Sequence, residues 1–195
     1  LVVVGVDART FGARTSGGIG EQWPFARARH ARVIDNLVKA GAKAIAYDVQ
    51  FTEPSSVGQA DDERLLQSVY EATRKGVPVI LATTEVNADG STNVFGGDDQ
   101  VRAVGAKAGN GVVPSEHGAI VRRVPYSWDG LRSFSVVTAE AATKRKVSRA
   151  RFEPFTPLID FHGPPGTVPY LSFADVYFGG FDPAKVKDKI VVVGA

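Results

Sequence analysis

Two aspartates at the ends of predicted strands are the residues of this chain best placed to do chemistry. Asp7 ends an apolar run that starts at Leu1, and Asp48 lies near the end of a second run that starts at Ala42. In open parallel sheets, ligands bind outside the carboxyl ends of the strands. Neighbouring strands lie about 4.8 Å apart. Both carboxylates are therefore expected to face one site, where they suit a hard divalent cation or a polar ligand.

Other polar side chains follow predicted strand ends and are expected to join this ligand-binding set: Arg9, Gln50, Glu53 and His162. If the site holds a metal, Asp7 and Asp48 are the candidate ligands. The alternative for these two aspartates is structural, because a carboxylate after a strand also accepts hydrogen bonds from loop or helix amides and orients the turn. The residues alone leave both interpretations open.

Two aromatic residues are expected to support the site from a predicted helix and its entrance. Trp23 lies in a Trp-Pro-Phe segment, which indicates either buried packing or an aromatic pocket wall. His30 lies on the apolar stripe of the helix that follows. It is either a core residue or the partner of a strand-end carboxylate such as Asp7, which would raise its pKa.

Arg122 and Arg123 are the remaining supporting residues, and they stand next to each other in a predicted strand. Because side chains alternate along a strand, one of them must point inward or toward a neighbouring chain. An ion pair with a strand-end aspartate is one outcome. Exposure of both side chains to solvent, through a bulge, is the other.

The motifs of several enzyme classes are absent from the sequence. It has no dinucleotide fingerprint, no phosphate-binding loop and no nucleophile elbow. There is no cysteine, and the three histidines are too far apart for zinc-ligand spacing. We therefore expect a protein that is not an enzyme and has no cofactor. A metal-dependent hydrolase that uses the strand-end carboxylates is the alternative.

Length and charge restrict the class of protein further. The chain has 195 residues, 44% of them hydrophobic, which predicts one domain over residues 1–195. The 23 basic and 21 acidic residues give a net charge of +2, too balanced to favour nucleic acid as a partner. The sequence has no methionine and no membrane-spanning apolar run, so we expect a piece excised from a longer protein.

Strands and helices alternate along the first part of the chain, a pattern that predicts a parallel sheet covered by helices. The predicted strands are 1–6, 42–49 and 78–82, and the predicted helices, at about 26–40 and 61–75, should share one face. The rest is less regular. Residues 101–113 return to the sheet, 120–125 and 157–161 read as strands, 134–142 and 172–178 as helices, and 190–193 as a final buried strand. The fold class is therefore α/β with three layers: a mostly parallel sheet, helices on both faces, and an irregular, partly antiparallel middle section.

Several blocks of the sequence resemble type 2 CHASE sensory domains. The blocks are Val4-Gly5-Val6-Asp7, Trp23-Pro24-Phe25, Tyr47-Asp48-Val49-Gln50, Val121-Arg122-Arg123-Val124-Pro125, Asp160–Gly166, Ser172–Val176 and Lys189–Ala195. They occur in the order found in that family and cover nearly the whole chain. The loop from Thr10 to Gln22 is longer and richer in glycine than in the family, and the sequence does not decide whether it is a lid.

The resemblance implies an extracytoplasmic, periplasmic or extracellular, sensory domain of a bacterial transmembrane receptor. Membrane helices would flank it, and the cytoplasmic output would be a nucleotide cyclase, a histidine kinase or a similar module. A homodimer in the full receptor is implied as well. The domain is then expected to bind an unidentified small molecule or ion and to pass on a conformational change. A ligand-free dimerisation spacer is a further alternative.

Overall fold

The structure is a computed structural model that describes residues 1–117, 119–164 and 166–194. Its strands and helices are, in chain order, β1 (Val2–Gly5), α1 (Arg27–Lys39), β2 (Ala44–Asp48), α2 (Gln59–Arg74), β3 (Val79–Thr83), α3 (Asp98–Ala103), β4 (Lys107–Asn110), β5 (Ser127–Trp128), β6 (Leu131–Arg132), α4 (Phe134–Thr143), β7 (Tyr170–Ser172), α5 (Phe173–Phe178) and β8 (Ile190–Gly194).

Six strands form one parallel sheet in the order β4-β3-β2-β8-β1-β7. The last strand of the chain thus lies between the first two, and Gly194 of β8 pairs with Gly5 on one side and Asp48 on the other. The expectation that the strands of Asp7 and Asp48 are direct neighbours is wrong. Two strand spacings, about 10 Å, separate β1 from β2.

Helices cover both faces of the sheet, as the α/β pattern predicts. On one face α1 packs against α2 and α5, so the two helices expected to share a face do so. Ile45 and Tyr47 of β2 point to this face and join Ile34 and Leu37 of α1 in one fully buried cluster. Burial of each such side chain contributes about 1.5–3 kcal/mol. The apolar stripe of α1 therefore holds this helix against the sheet.

The opposite face is covered by α4, which contacts β2, β3 and β4. A close approach at Gly109 makes this packing possible. A Cβ atom at that position would lie only 2.7 Å from the Cα atom of Phe134, at the start of α4. Glycine is therefore required where the helix crosses β4.

The middle section contains less strand than predicted. Residues 120–125 and 157–161 form only isolated antiparallel bridges, Glu116 with Ile120 and Arg123 with Leu158. Pro125 and Pro157 lack the amide donors that a longer ladder needs. The structure also contains β7 and α3, which the sequence pattern did not predict. The blocks 160–166 and 189–195 include Pro165 and Ala195, which lie outside the described residues.

Candidate ligand-binding pocket at the sheet edge

A concave pocket of about 490 Å³ opens at the carboxyl ends of β2 and β3. The loop that follows β2 and residues 82–84 form one side of it. Residues 23–25 and the first turn of α1 form the other side, and Gly111 after β4 contributes to the wall. The volume lies in the range of about 300–1,000 Å³ that is typical of small-molecule sites. This is the edge of the sheet where the strand-end argument places a site.

Asp48 presents a free carboxylate to this pocket. Within the described part of the chain, its side chain makes neither a hydrogen bond nor an ion pair. Two glycines keep the surroundings open, since a Cβ at Gly194 would lie 3.3 Å from the Asp48 Cβ and one at Gly111 would lie 3.8 Å from its Oδ1. The surrounding protein partly removes water from the carboxylate, and this desolvation raises the pKa of Asp48.

The loop after β2 is held in place by both of its neighbours. Gln50 Oε1 accepts hydrogen bonds from the amide and the hydroxyl of Thr84, both at 3.1 Å, and so links the loop to the end of β3. The Glu53 carbonyl accepts a hydrogen bond of 2.8 Å from Arg27 Nη2 on α1. Gln50 and Glu53 both line the pocket with Asp48, so this part of the predicted set is brought together.

The N-terminus of α1, at the edge of the pocket, is capped by a side chain from α2. Asp61 accepts hydrogen bonds from the amides of Arg27 and Ala28, at 2.6 and 2.8 Å, and from the hydroxyl of Ser55 at 2.6 Å. Burial opposes ionisation of Asp61, but these hydrogen bonds outweigh it and lower its pKa. The cap joins residues 34 and 33 positions apart, so no local pattern could predict it.

Arg27 is the one cationic side chain among the described residues that line the pocket, and it is already engaged. Its Nε lies 3.5 Å from Asp62 Oδ1, and its guanidinium lies 4.8 Å from the centre of the Phe51 ring. The side chain is 11% exposed. Arg27 therefore fixes the base of the loop and offers little free positive charge to a ligand.

The Trp-Pro-Phe segment was expected to provide either buried packing or an aromatic pocket wall, and it provides both. Phe25 is 2% exposed and packs against Phe173 at 5.7 Å between ring centres, so it is a core residue. Trp23 is 41% exposed and lines the pocket, so it is an aromatic wall. Edge contacts with Phe25 at 5.3 Å and with His30 at 5.8 Å hold the indole ring in place.

His30 is a buried, neutral histidine. Its Nδ1 lies 2.9 Å from the Tyr47 hydroxyl rather than near Asp7, so the proposed pair with a strand-end carboxylate is wrong. Burial, with a contribution from the charge of Arg27, lowers the pKa of His30 from 6.5 to about 3 instead of raising it. The ring lines the pocket without carrying charge at neutral pH.

Asp7 does not line this pocket, and its carboxylate is fully used by the protein. Oδ1 accepts hydrogen bonds from the amide and hydroxyl of Thr10, at 2.9 and 2.8 Å, and from the Ser172 hydroxyl at 2.8 Å. Oδ2 accepts one from the Tyr170 hydroxyl at 3.2 Å. Tyr170 lies so close to Gly5 that a Cβ there would be 2.3 Å from its hydroxyl. Although desolvation acts against it, this hydrogen bonding lowers the pKa of Asp7.

The other predicted residues lie outside the pocket. Arg9, in the loop after β1, forms an ion pair of 2.7 Å with Asp175 of α5. Arg122 and Arg123 both pair with Glu116, at 3.3 and 3.1 Å, rather than with a strand-end aspartate. The remaining candidate, His162, is an exposed residue of the irregular segment before β7. Tertiary structure therefore reduces the predicted set to Asp48, Gln50 and Glu53, supported by Trp23 and His30.

A comparison with protein families matches the CHASE2 domain over residues 1–195. The chain belongs to the CHASE2 family. CHASE2 domains are extracytoplasmic sensor domains of membrane receptors and not catalytic domains. No curated protein and no solved structure matches the chain. Of the helices in residues 1–117, 119–164 and 166–194, none combines the length and the apolar character needed to cross a membrane.

In this CHASE2 domain the long loop after β1 is folded on itself rather than over the pocket. Ile19 is buried, and its amide donates to the Thr10 carbonyl at 2.9 Å. Glu21 at the end of the loop pairs with Arg29 of α1. The pocket wall begins only at Trp23. The loop therefore braces the β1 end of the sheet in this structure.

The carboxylates of this CHASE2 domain do not converge on a metal site in the part of the chain that the structure describes. No group of three or more His, Asp or Glu side chains there could hold a metal ion. The hydrolase alternative required Asp7 and Asp48 to lie together at one site. They do not, because β8 lies between their strands. Only Asp48 faces the pocket, and the chemistry available there is binding by a carboxylate, amides, hydroxyls and an indole.

Proposed function

We propose that this CHASE2 domain is the ligand-binding input domain of a bacterial membrane receptor and that its ligand binds in the pocket beside Asp48. The observation that carries the proposal is the open volume of about 490 Å³ at the carboxyl edge of the sheet. A spacer that only dimerises has no need for a cavity that its own side chains leave open. Membership in a family of sensor domains supports the same function.

The walls of the pocket provide a route by which a ligand could act on the helices. Ser55 lines the pocket, and its hydroxyl bonds to Asp61, whose carboxylate caps α1. A ligand that contacts the loop after β2 would shift this cap and with it the packing of α1 on α2. To signal, the ligand must bind one arrangement of these elements more tightly than the other.

The setting of the domain is part of the same proposal. An extracytoplasmic location, flanking membrane helices, and a cyclase, kinase or similar output are what the CHASE2 resemblance implies. A homodimer in the full receptor is proposed on the same basis. In such a dimer, movement of α1 and α2 would reach the membrane helices through the subunit interface.

Native mass spectrometry of a pocket-filling variant tests the proposed site. Gly111 has room for a Cβ at ordinary contact distances, the nearest being 3.5 Å from Ala82, so Gly111→Leu should fold and project into the pocket. We expect the wild-type chain to carry an extra mass that is lost on denaturation, and Gly111→Leu to lack it. Gly180→Leu is the matched control, because Gly180 is exposed and has no neighbour within 4 Å of a Cβ. A bare wild-type mass, or a mass that survives Gly111→Leu, would contradict the proposal.

A further inference from the structure

The carboxylate of Asp48 has no hydrogen bond or ion pair among the described residues, in contrast to the carboxylates of Asp61 and Asp62 beside the same pocket. Asp61 is bonded to two helix amides and a hydroxyl, and Asp62 faces Arg27 and also accepts a bond from the Ser55 amide. Asp48 has no such partner among the described residues, although desolvation raises its pKa. Asp48 is an exposed residue that lines the pocket, so a bound cation can reach its carboxylate and pair with it at short range.

The charges that line the pocket favour a cation over an anion. At neutral pH Asp48 and Glu53 are negative, His30 is neutral with a pKa of about 3, and the positive charge of Arg27 is balanced by Asp62. The N-terminus of α1 would otherwise attract an anion, since its free amides carry partial positive charge. That position is already taken by the carboxylate of Asp61.

The pocket is built for an organic cation rather than for a bare metal ion. Divalent cations such as calcium need six to eight oxygen ligands, and in the described part of the chain no three acidic or histidine side chains converge. The volume of about 490 Å³ is far larger than a single ion requires. Trp23 adds a 41% exposed indole to the wall, and this aromatic surface suits the apolar body of an organic ligand.

We propose that the pocket binds a small organic ammonium compound, with its nitrogen paired to Asp48 and its apolar body against Trp23. This proposal rests on the proposed function, because it names the chemical class of the ligand for the same site. The amide oxygen of Gln50 is already used by Thr84, so the Asp48 carboxylate is the principal acceptor for the ammonium group.

A matched set of probes tests the charge preference directly. Trp128 lies in the β5–β6 hairpin outside the pocket wall, so the Trp128→Phe chain keeps Trp23 as its single tryptophan reporter. The probes are n-butylammonium, n-butanol and pentanoate, which share an n-butyl chain and differ in charge. We expect n-butylammonium to change the Trp23 fluorescence saturably in the millimolar range, and the neutral and anionic probes to have no effect at equal concentration.

Variants and pH then identify the acceptor. Asp48→Asn should weaken n-butylammonium binding about tenfold or more, as expected for loss of a charge-assisted contact. Asp99→Asn is the control, because that side chain is 98% exposed and lies outside the pocket. Binding should also weaken as the pH falls through the raised pKa of Asp48, a readout that needs no substitution there. Glu53 is the other carboxylate that lines the pocket, and Glu53→Gln should leave most of the affinity if Asp48 is the acceptor.

Each contrary result has a separate meaning. Equal binding of all three probes, blocked by Gly111→Leu, would overturn the ammonium proposal and leave the pocket as the ligand site. Binding of n-butylammonium that Asp48→Asn does not weaken would overturn the role of Asp48. If no probe of any charge changes Trp23 and no extra mass is carried by the chain, the ammonium proposal and the proposed function fail together.

Discussion

Asp7 and Asp48 follow or end two strands of the same sheet, yet the protein treats them in opposite ways. The Asp7 carboxylate accepts hydrogen bonds from the Thr10 amide and from the hydroxyls of Thr10, Ser172 and Tyr170, and these bonds lower its pKa. Around Asp48, the described residues offer no hydrogen bond, and partial desolvation raises the pKa of this exposed side chain. One carboxylate is bonded within the protein, and the other is open to the ligand that we propose.

This contrast shows that position at a strand end does not by itself define a ligand site. The corner at Asp7 provides polar partners from β7 and from the loop after β1, so nothing is missing there. The pocket at Asp48 holds groups for which charge is unfavourable, since burial also lowers the pKa of His30 to about 3. The two aspartates therefore differ in whether hydrogen bonds within the protein engage the carboxylate, and not in their position at the sheet edge.

Removing the Asp7 carboxylate should give the largest effect. Asp7→Ala leaves the buried hydroxyls of Thr10 and Ser172 without their acceptor, and should lower the free energy of unfolding by about 3 kcal/mol at pH 7. Because the folded pKa is below the ordinary value of 3.8, this stabilisation is present above that pH and is lost as the pH falls through the folded pKa. Urea unfolding measures the difference, with Asp99→Ala as the exposed control. If Asp7→Ala lowers the free energy of unfolding no more than Asp99→Ala does, Asp7 is not a structural residue and does not differ from Asp48 in this respect.

Acid should destabilise the pocket region through His30. The unfolded chain takes up a proton near pH 6.5 and the folded chain only near 3, so stability is present above 6.5 and is lost as the pH falls. Between pH 6 and 4.5 this amounts to about 2 kcal/mol. Urea unfolding of His30→Gln should lack that part of the pH dependence, whereas His162→Gln, at an exposed position, should retain it. An NMR titration of His30 near pH 6.5 would contradict the structure.

The cap of α1 should give a smaller effect of the same sign as that of Asp7. Asp61→Ala removes the acceptor of two helix amides and should lower the free energy of unfolding by about 1 kcal/mol. Ser55→Ala is the matched comparison, because it keeps the two bonds from helix amides to Asp61 and removes the Ser55 hydroxyl, which donates to Asp61 and accepts from the Val57 amide. Thermal unfolding of both variants tests whether the hydrogen bonds of Asp61 stabilise the fold as those of Asp7 do. If the two variants are equally stable, the cap contributes nothing.

The smallest effect should have the opposite sign. Asp48→Asn replaces a partly desolvated charge by a neutral side chain of the same shape, and should raise the free energy of unfolding at pH 7 by about 0.5 kcal/mol or less. Because the folded pKa of Asp48 is raised, the difference from wild type should vanish as the pH falls through that pKa. Urea unfolding of wild type and variant at pH 7 and pH 4 gives both quantities. A destabilised Asp48→Asn would mean that Asp48 is structural like Asp7.

Much of the fold could be predicted from the sequence, because its signals are local. The apolar stripe of α1 and the buried strand that ends at Asp48 are recognised from residues that lie within a few positions of one another. The helix at 134–143 and the final strand were predicted for the same reason. The strand β7 was not, since its three residues form a strand only by pairing with β1. The stretch 120–125 alternates like a strand but finds no partner ladder.

The candidate site was predicted less completely. Asp48 ends β2, and Gln50 and Glu53 follow it within five positions. Because these residues are close in the sequence, their proximity could be predicted, and all three line one pocket. Arg9 and His162 follow other strand ends but have partners or positions elsewhere. Asp61 was not among the predicted site residues, because its bonds to the start of α1 join two helices that are more than 30 positions apart in the sequence.

The sequence by itself determined most of the long helices and the central strands of this CHASE2 domain, its family, and the edge of the sheet at which polar residues gather. These depend on periodicity and on residues close in the chain. Tertiary structure decided that β8 lies between β1 and β2, and that Ser172, 165 positions away, bonds to Asp7. It also left Asp48 facing an open pocket. Strand order and hydrogen-bond satisfaction depend on which distant segments pack together, and no local pattern contains that information.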